Sequence, residues 1–397
     1  ITFAPASVFT AFNDSPINLS ANNPFNPFGQ DIADVRIRLL GLGPRLQAND
    51  AQTVRANGRL MGNLRDGEWQ LSVNWSRTDA QEHWQNLADL QNIARGLGPE
   101  ASCIDDCVPL NFFAPAASMG EDQLDFIKAG ASNRGESELI SVNLDFSQLV
   151  DILPAGEVEF ASGLEFRHET LHTMTDPRLA NNQLIGGDFA SSRGRRDSTD
   201  LYLESLLPLA KGAPGMYRLE ANLSFRMTHS NSFGVRANPK LALRYRPVRD
   251  LMFRASLSTG FRSPSLTELH QADSQSQGIF IDPCSAVTSI QDFPGCQAVT
   301  DPLRNQFIRM TGGNKNLRPE KSKNVSIGVI FTPTGLEDFT LGLDVYSIQL
   351  DDVIGASGQF FLEQNAEFEL FSSRVIRRGD GELIAVVASN ENLGSRK

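Results

Sequence analysis

The sequence predicts an all-β chain: an antiparallel up-and-down transmembrane β-barrel, with short turns at one end and long loops at the other. Three observations carry this. Apolar and polar residues alternate with period two over long segments, which gives a strand one oily and one polar face. Short and long connections between those segments alternate along the chain. No run of ~18 apolar residues occurs, which excludes a membrane helix but not a barrel, whose strands are only half apolar. Mean hydropathy is −0.24.

The strands justify themselves in turn. Ile140, Val142, Leu144 and Phe146 alternate with Ser141, Asn143 and Asp145. Val158, Phe160, Leu164 and Phe166 alternate with Glu157, Glu159, Glu165 and Arg167. Tyr217, Leu219, Ala221, Leu223, Phe225 and Met227 alternate with Arg218, Glu220, Asn222, Ser224 and Arg226. Leu251, Phe253, Ala255 and Leu257, and later Phe339, Leu341, Leu343 and Val345, repeat the pattern. About eleven strands are expected: 33–47, 50–63, 67–82, 135–149, 156–171, 197–208, 216–229, 237–247, 250–261, 319–332 and 338–353. Most exceed the usual 5–6 residues of a globular strand and suit a tilted membrane crossing.

Turns at 64–66, 150–155, 209–215, 248–249 and 333–337 are short and rich in Gly, Pro and Asp. The intervening loops at 83–134, 172–196, 230–236, 262–318 and 354–373 are mostly long. The connections 48–49 and 230–236 break the rule by being short on the loop side. Short periplasmic turns and long extracellular loops are the layout of an outer-membrane barrel, and a soluble β-sandwich has no reason to sort its loops this way. Helices are expected at 86–95, at 120–128 after turn residues Pro115–Gly120, and at 357–370. Tyr217 and Phe225, and Phe253 and Phe261, lie eight residues apart on one strand face. That spacing fits two aromatic girdles, or simply the strand preference of aromatics.

Of 397 residues, 40% are hydrophobic and 21% charged, and net charge is −11, which argues against nucleic acid as a partner. Cys103/Cys107 and Cys284/Cys296 form two local pairs in stretches rich in Asp, Pro, Ser and Gly. Two small loop disulfides in an oxidising compartment are expected; four unrelated thiols are the alternative, and the spacings lack a zinc-knuckle form. The start, Ile1-Thr2-Phe3-Ala4-Pro5, has no signal-peptide pattern, as expected of a mature form or a fragment.

Three segments resemble the TonB-dependent outer-membrane receptor family. Residues 239–269 contain Gly260-Phe261-Arg262, Pro264 and Glu268-Leu269, similar to the family's hairpin ending in "GFR-x-P-x-x-x-E-L". Gly313-Asn314, Leu317 and Pro319-Glu320 resemble the "G-N-x-x-L-x-P-E" that opens the next strand. Cys107–Phe113 with Gln123–Ile127, and Asn23–Gly29, look like loops of one large subgroup. The resemblance implies a 22-stranded barrel, an N-terminal plug and energy from an inner-membrane TonB complex. Residues 1–397 are then expected to be about half of such a barrel domain, with the plug and the C-terminal strands absent, and to form a curved, open sheet or an irregularly closed one.

Chemistry-bearing patterns are few. His168-Glu169-Thr170-Leu171-His172 matches H-E-x-x-H, but that zinc site needs a helix, and the preceding residues alternate as a strand. Acidic pairs Asp105-Asp106 and Asp351-Asp352 read as solvated loop charges. Arg193, Arg195 and Arg196 read as a solvated strand end or a contact for lipopolysaccharide phosphates. Arg262 and Glu320 are expected either to pair near the external rim or to stand solvated apart. The expectation is a transport barrel in the bacterial outer membrane. It is not an enzyme, and it is a monomer with no metal and no cofactor. Its partners are lipid, lipopolysaccharide, the TonB complex through the plug, and a small-molecule or oligosaccharide ligand (a siderophore, a cobalamin-like compound or a glycan). Trp84, Phe112, Phe113 and Phe280 are the candidate ligand contacts. A passive porin or adhesin barrel is the alternative; an enzyme barrel would need a Ser beside His168 or His270.

Overall fold

The computed structural model describes residues 2–5, 17–33, 35, 37, 39–114, 119–185, 190–285, 293–296, 306–336, 338–379 and 381–394. In chain order the strands are β1 (Thr2–Pro5), β2 (Pro44–Leu64), β3 (Gly67–Ala88), β4 (Lys128–Leu153), β5 (Gly156–Met174), β6 (Ser192–Ala213), β7 (Met216–Ser230), β8 (Gly234–Val248), β9 (Leu251–Arg262), β10 (Ser274–Ile279), β11 (Gln306–Thr311), β12 (Glu320–Phe331), β13 (Leu341–Asp351), β14 (Ile354–Gly355), β15 (Val375–Arg377), β16 (Leu383–Val387) and β17 (Glu391–Asn392). The helices are α1 (Leu90–Gly96), α2 (Glu121–Ile127), α3 (Pro177–Ala180), α4 (Leu266–His270) and α5 (Gly358–Phe368). One 11-stranded sheet runs β1 to β9 and then β12 and β13. Every neighbouring pair is antiparallel, so the meander is up-and-down and β1 and β13 are its edges.

The sheet is inside-out. Leu223, Leu241, Leu257 and Val325 lie opposite one another in a single lateral row, and all are exposed, Leu257 at 57%. The next face over carries the row Asn143, Glu165, Asp200, Thr228 and Arg236, in which Asp200 is 3% exposed. A leucine left about half exposed forgoes roughly half of the ~1.5–3 kcal/mol that full burial gives in water. A row of them suits a face turned to an apolar surrounding, with the polar face turned the other way. The strands also outrun the membrane. The 26 residues of β4 reach roughly 85 Å at ~3.3 Å each, whereas the apolar band is ~25 Å tall.

The expected strands 33–47 and 50–63 are corrected. Residues 44–64 form one strand, and Gln47, Ala48, Asn49 and Asp50 pair without a break with Trp84, His83, Glu82 and Gln81. Asn49-Asp50 is a local turn signal, but the continuous ladder to β3 outweighs it. Among the described residues of 33–43 there is only a single turn of 3-10 helix at Leu40–Leu42. With 48–49 no longer a turn, connections 65–66, 154–155, 214–215 and 249–250 lie at one end, and 89–127, 175–191, 231–233 and 263–319 at the other. Only 231–233 remains short on the loop side. Of the turn expected at 115–120, residues 115–118 lie outside the described residues, as does residue 337.

The apolar cores sit in the loops instead of the sheet. Leu19, Leu39, Leu42, Ile93, Leu97, Leu110 and Ile127 join the 17–42 segment to α1 and α2. The side chain of Asp89 caps α1, accepting from the backbone N–H groups of Gln91 and Asn92 at 2.9 and 3.0 Å. A second sheet, ordered β10-β11-β16-β15, forms a cap from the loop after β9 and the segment after β13. Its core is Phe280, Phe307, Leu362, Val375, Leu383 and Val386. Cys103 is bonded to Cys107 and Cys284 to Cys296, the two local disulfides that the spacing predicts.

Candidate functional site

The resembling segments meet at one corner of the loop end. Arg262 closes β9 directly opposite Glu320, which opens β12. Its Nε and Nη2 donate to Glu320 at 2.7 and 2.8 Å, and Nη1 and Nη2 to Glu268 at 3.0 and 3.2 Å. Pairing, not separate solvation, is therefore the arrangement. Glu268 also accepts from the Ser265 backbone N–H at 2.6 Å, while the Ser265 hydroxyl caps the Glu268 N–H at 3.0 Å. This reciprocal cap lets so short a helix as α4 form. Leu269 and Leu317 are buried behind it. Gly313 donates from its N–H to the Gln271 carbonyl and Asn314 to that of Glu268, both at 2.8 Å. A Cβ on Gly313 would come within 2.7–2.8 Å of the backbone of Leu269, His270 and Gln271, so glycine is required there. Gly260 faces Ser322, and a Cβ there would lie 2.8 Å from its hydroxyl. Phe261 packs edge-on against Phe233 at 5.4 Å. The Pro264 carbonyl accepts from Arg196 Nη1 at 2.6 Å. Pro319, without an N–H, immediately precedes β12.

The electrostatics follow. Burial works to raise the Glu268 carboxyl, but the Arg262 guanidinium and the Ser265 N–H together hold it below the usual glutamate range. Burial, and then the charge of Lys315, push the His270 imidazole below its ordinary value. Arg196, read from sequence as part of a solvated basic cluster, is buried and pairs with Glu169 at 2.7 Å; Arg193 and Arg195 are exposed.

The four candidate aromatics do not converge. Phe280 is buried in the cap core. Trp84 packs against Leu87, Ala131, Leu179 and Leu184. Phe112 is half-buried against the α1–α2 core. Phe113 is exposed and meets the exposed Phe28 edge-on at 5.7 Å. The H-E-x-x-H segment lies in strand β5, and His168 Nδ1 is 2.5 Å from Asp197.

Sequence reasoning missed a cavity of about 460 Å³ on the polar face of β2 to β6, beside α4. Asn49, Glu82, Asn133, Thr173, Ser192 and Gln271 supply its polar lining. Glu82 accepts from Gln47 and, at 2.8 Å, from Asn133; the Thr173 and Ser192 hydroxyls are 2.7 Å apart. Ala51, Ala80 and Gly135 keep the volume open. The signal that could have located it is the run of small residues on otherwise polar inner faces, but only the register brings them together. Further down the same wall, two hollows of about 750 and 520 Å³ share Asn222, Lys240 and Arg244.

A family model described as "TonB dependent receptor-like, beta-barrel" matches residues 6–370. No curated protein matches. Solved structures similar to this chain include the siderophore receptor PirA from Pseudomonas aeruginosa, at 15% identity over 87% of this chain and 51% of that one, TM-score 0.43. The siderophore receptor PirA from Acinetobacter baumannii is similar at 13% identity over 85% of this chain and 41% of that one, TM-score 0.42. So is the ferric-catecholate import receptor Fiu from E. coli, at 10% identity over 78% of this chain and 42% of that one, TM-score 0.43. The chain spans about half the length of these structures. With the family model covering most of its length and the family's two motifs gathered around α4, the chain belongs to the TonB dependent receptor-like β-barrel family.

Proposed function

We propose that this chain is part of an outer-membrane active transporter that captures a scarce ligand (a siderophore, a cobalamin-like compound or an oligosaccharide) at its long-loop mouth and imports it with TonB-coupled energy. The observation that carries the reading is the inside-out sheet: leucines exposed on one face, and carboxylates, hydroxyls and guanidinium groups buried on the other. That pattern makes sense in lipid around a polar lumen. In this reading the barrel belongs to a longer protein whose plug fills the lumen and reaches the inner-membrane TonB complex, and the α4 corner fixes the wall of the mouth cavity. Lipid and lipopolysaccharide surround the outer face, and the barrel works as a monomer.

The test is uptake by cells carrying the full-length protein. Accumulation of ligand that stops when TonB is deleted or the proton gradient is collapsed supports the reading. Accumulation that persists under both treatments returns the passive porin instead. Absence of the protein from the outer-membrane fraction defeats both.

A further inference from the structure

We propose that the mouth cavity takes a neutral, hydroxyl-rich ligand, a short oligosaccharide, rather than an anionic metal complex. This rests on reading the mouth as the place of ligand entry.

The lining chemistry carries the inference. Asn49, Asn133, Gln271, Thr267, Thr173 and Ser192 are amides and hydroxyls, groups that both donate and accept hydrogen bonds. A sugar hydroxyl does the same and matches them in either direction. Among the described residues, the side chains of Asn49, Thr267 and Gln271 make no hydrogen bond within the protein, so they are available to a ligand. Leu171 adds an apolar surface against which the C–H face of a sugar ring can lie. The cavity volume, about 460 Å³, falls within the ~300–1,000 Å³ of small-molecule sites.

Charge argues the same way. The basic residue in the lining is Arg134, and its guanidinium is already held by Asp79 at 3.1 Å and Glu136 at 3.0 Å. Of the neighbouring guanidinium groups, Arg196 is engaged by Glu169, Arg262 by Glu320 and Glu268, and Arg178 by Asp176, while Arg193 and Arg195 alternate onto the face of β6 away from Ser192 and Arg196. Glu82 contributes a carboxylate to the lining. An anion entering here loses water beside the Glu82 carboxylate and, among the described lining residues, meets no unpaired guanidinium, which is unfavourable. A neutral polyol meets no such penalty.

The experiment uses the full-length protein in detergent. Binding is measured by calorimetry against a panel of short neutral oligosaccharides and against ferric citrate and a ferric catecholate. Asn49→Leu, Gln271→Leu and the cavity-filling Gly135→Leu are run in parallel, with heat-modifiable gel mobility confirming that each folds. The expected result is saturable binding of a neutral oligosaccharide that weakens about tenfold or more in the variants, with neither ferric complex bound. If no neutral oligosaccharide binds, the proposal is overturned. A ferric complex that binds, and is lost in Gly135→Leu, overturns the ligand class yet leaves the mouth as the entry site. Ligand binding indifferent to all three variants overturns both the class and the placement.

Discussion

Arg262 and Glu320 face each other across the β9–β12 ladder with two hydrogen bonds of 2.7 and 2.8 Å, and the same guanidinium holds Glu268 at 3.0 and 3.2 Å. One side chain therefore ties two strand ends and a loop helix. Arg262 is about half exposed, so solvent screens the pairs. We expect Arg262→Ala to cost about 1–2 kcal/mol, confined to residues 263–271 and 313–320. Arg262→Lys should recover only part, because an ammonium cannot span both carboxylates with a planar fork. Hydrogen exchange by mass spectrometry checks this; protection lost evenly over the whole sheet would count against a local clamp.

Gly313 provides a steric test of the same corner. Its missing Cβ would sit within 2.7–2.8 Å of three backbone atoms. Gly313→Ala should displace α4 and destabilise the corner by about 1–3 kcal/mol. A crystal structure or exchange profile indistinguishable from the parent would refute the close approach.

Acid should loosen α4 in two steps. His270 has a folded value below the unfolded ~6.5, pushed there by burial and Lys315. Above ~6.5 it is neutral in both states and costs nothing. As pH falls below that, the unfolded form takes up the proton first and the helix loses stability. Glu268, held below its ordinary value chiefly by Arg262 against the opposing effect of burial, stabilises fully above ~4.3. That contribution vanishes as pH falls through its lower folded value. A spin label on Thr267→Cys should gain mobility in both windows. In His270→Gln the upper step should disappear while the lower one stays.

The outward face should reject charge where the inward face accepts it. Leu241 lies in the exposed leucine row, while Ser258, paired with Lys240, is on the alternate, polar face. Leu241→Arg is expected to cost about 2–4 kcal/mol of stability in bilayers, and Ser258→Arg much less. Urea unfolding from vesicles measures both. Equal costs would mean the faces are wrongly assigned.

The two disulfides should differ in worth. Cys284–Cys296 closes a separation of 12 residues and Cys103–Cys107 one of 4. Chain entropy assigns about 3 and about 2 kcal/mol respectively. Limited proteolysis of Cys284→Ser/Cys296→Ser should cut within the cap sheet while sparing the barrel strands; cleavage unchanged from the parent would remove the cap's dependence on the bond.

By itself the sequence determined the class of structure, because a strand's two faces are written in alternate residues. Leu223 and Ser224 declare opposite sides before any partner is known. It also determined the sorting of turns and loops, and it brought Arg262, Glu268 and Glu320 to attention through their motifs. Only the tertiary structure decided whether Asn49-Asp50 turns or continues. The local preference there is small, and the answer belongs to the ladder with β3. Only the fold showed that Phe280 and Trp84 are packing residues, since an aromatic in a loop reads the same whether a core covers it or not. The cap needs β11 beside β16 in parallel, a pairing between segments far apart with no local signal. The mouth cavity arises the same way. Ala51, Ala80 and Gly135 are unremarkable in their own strands, and they become one wall because register, a property of strand pairs, sets them side by side.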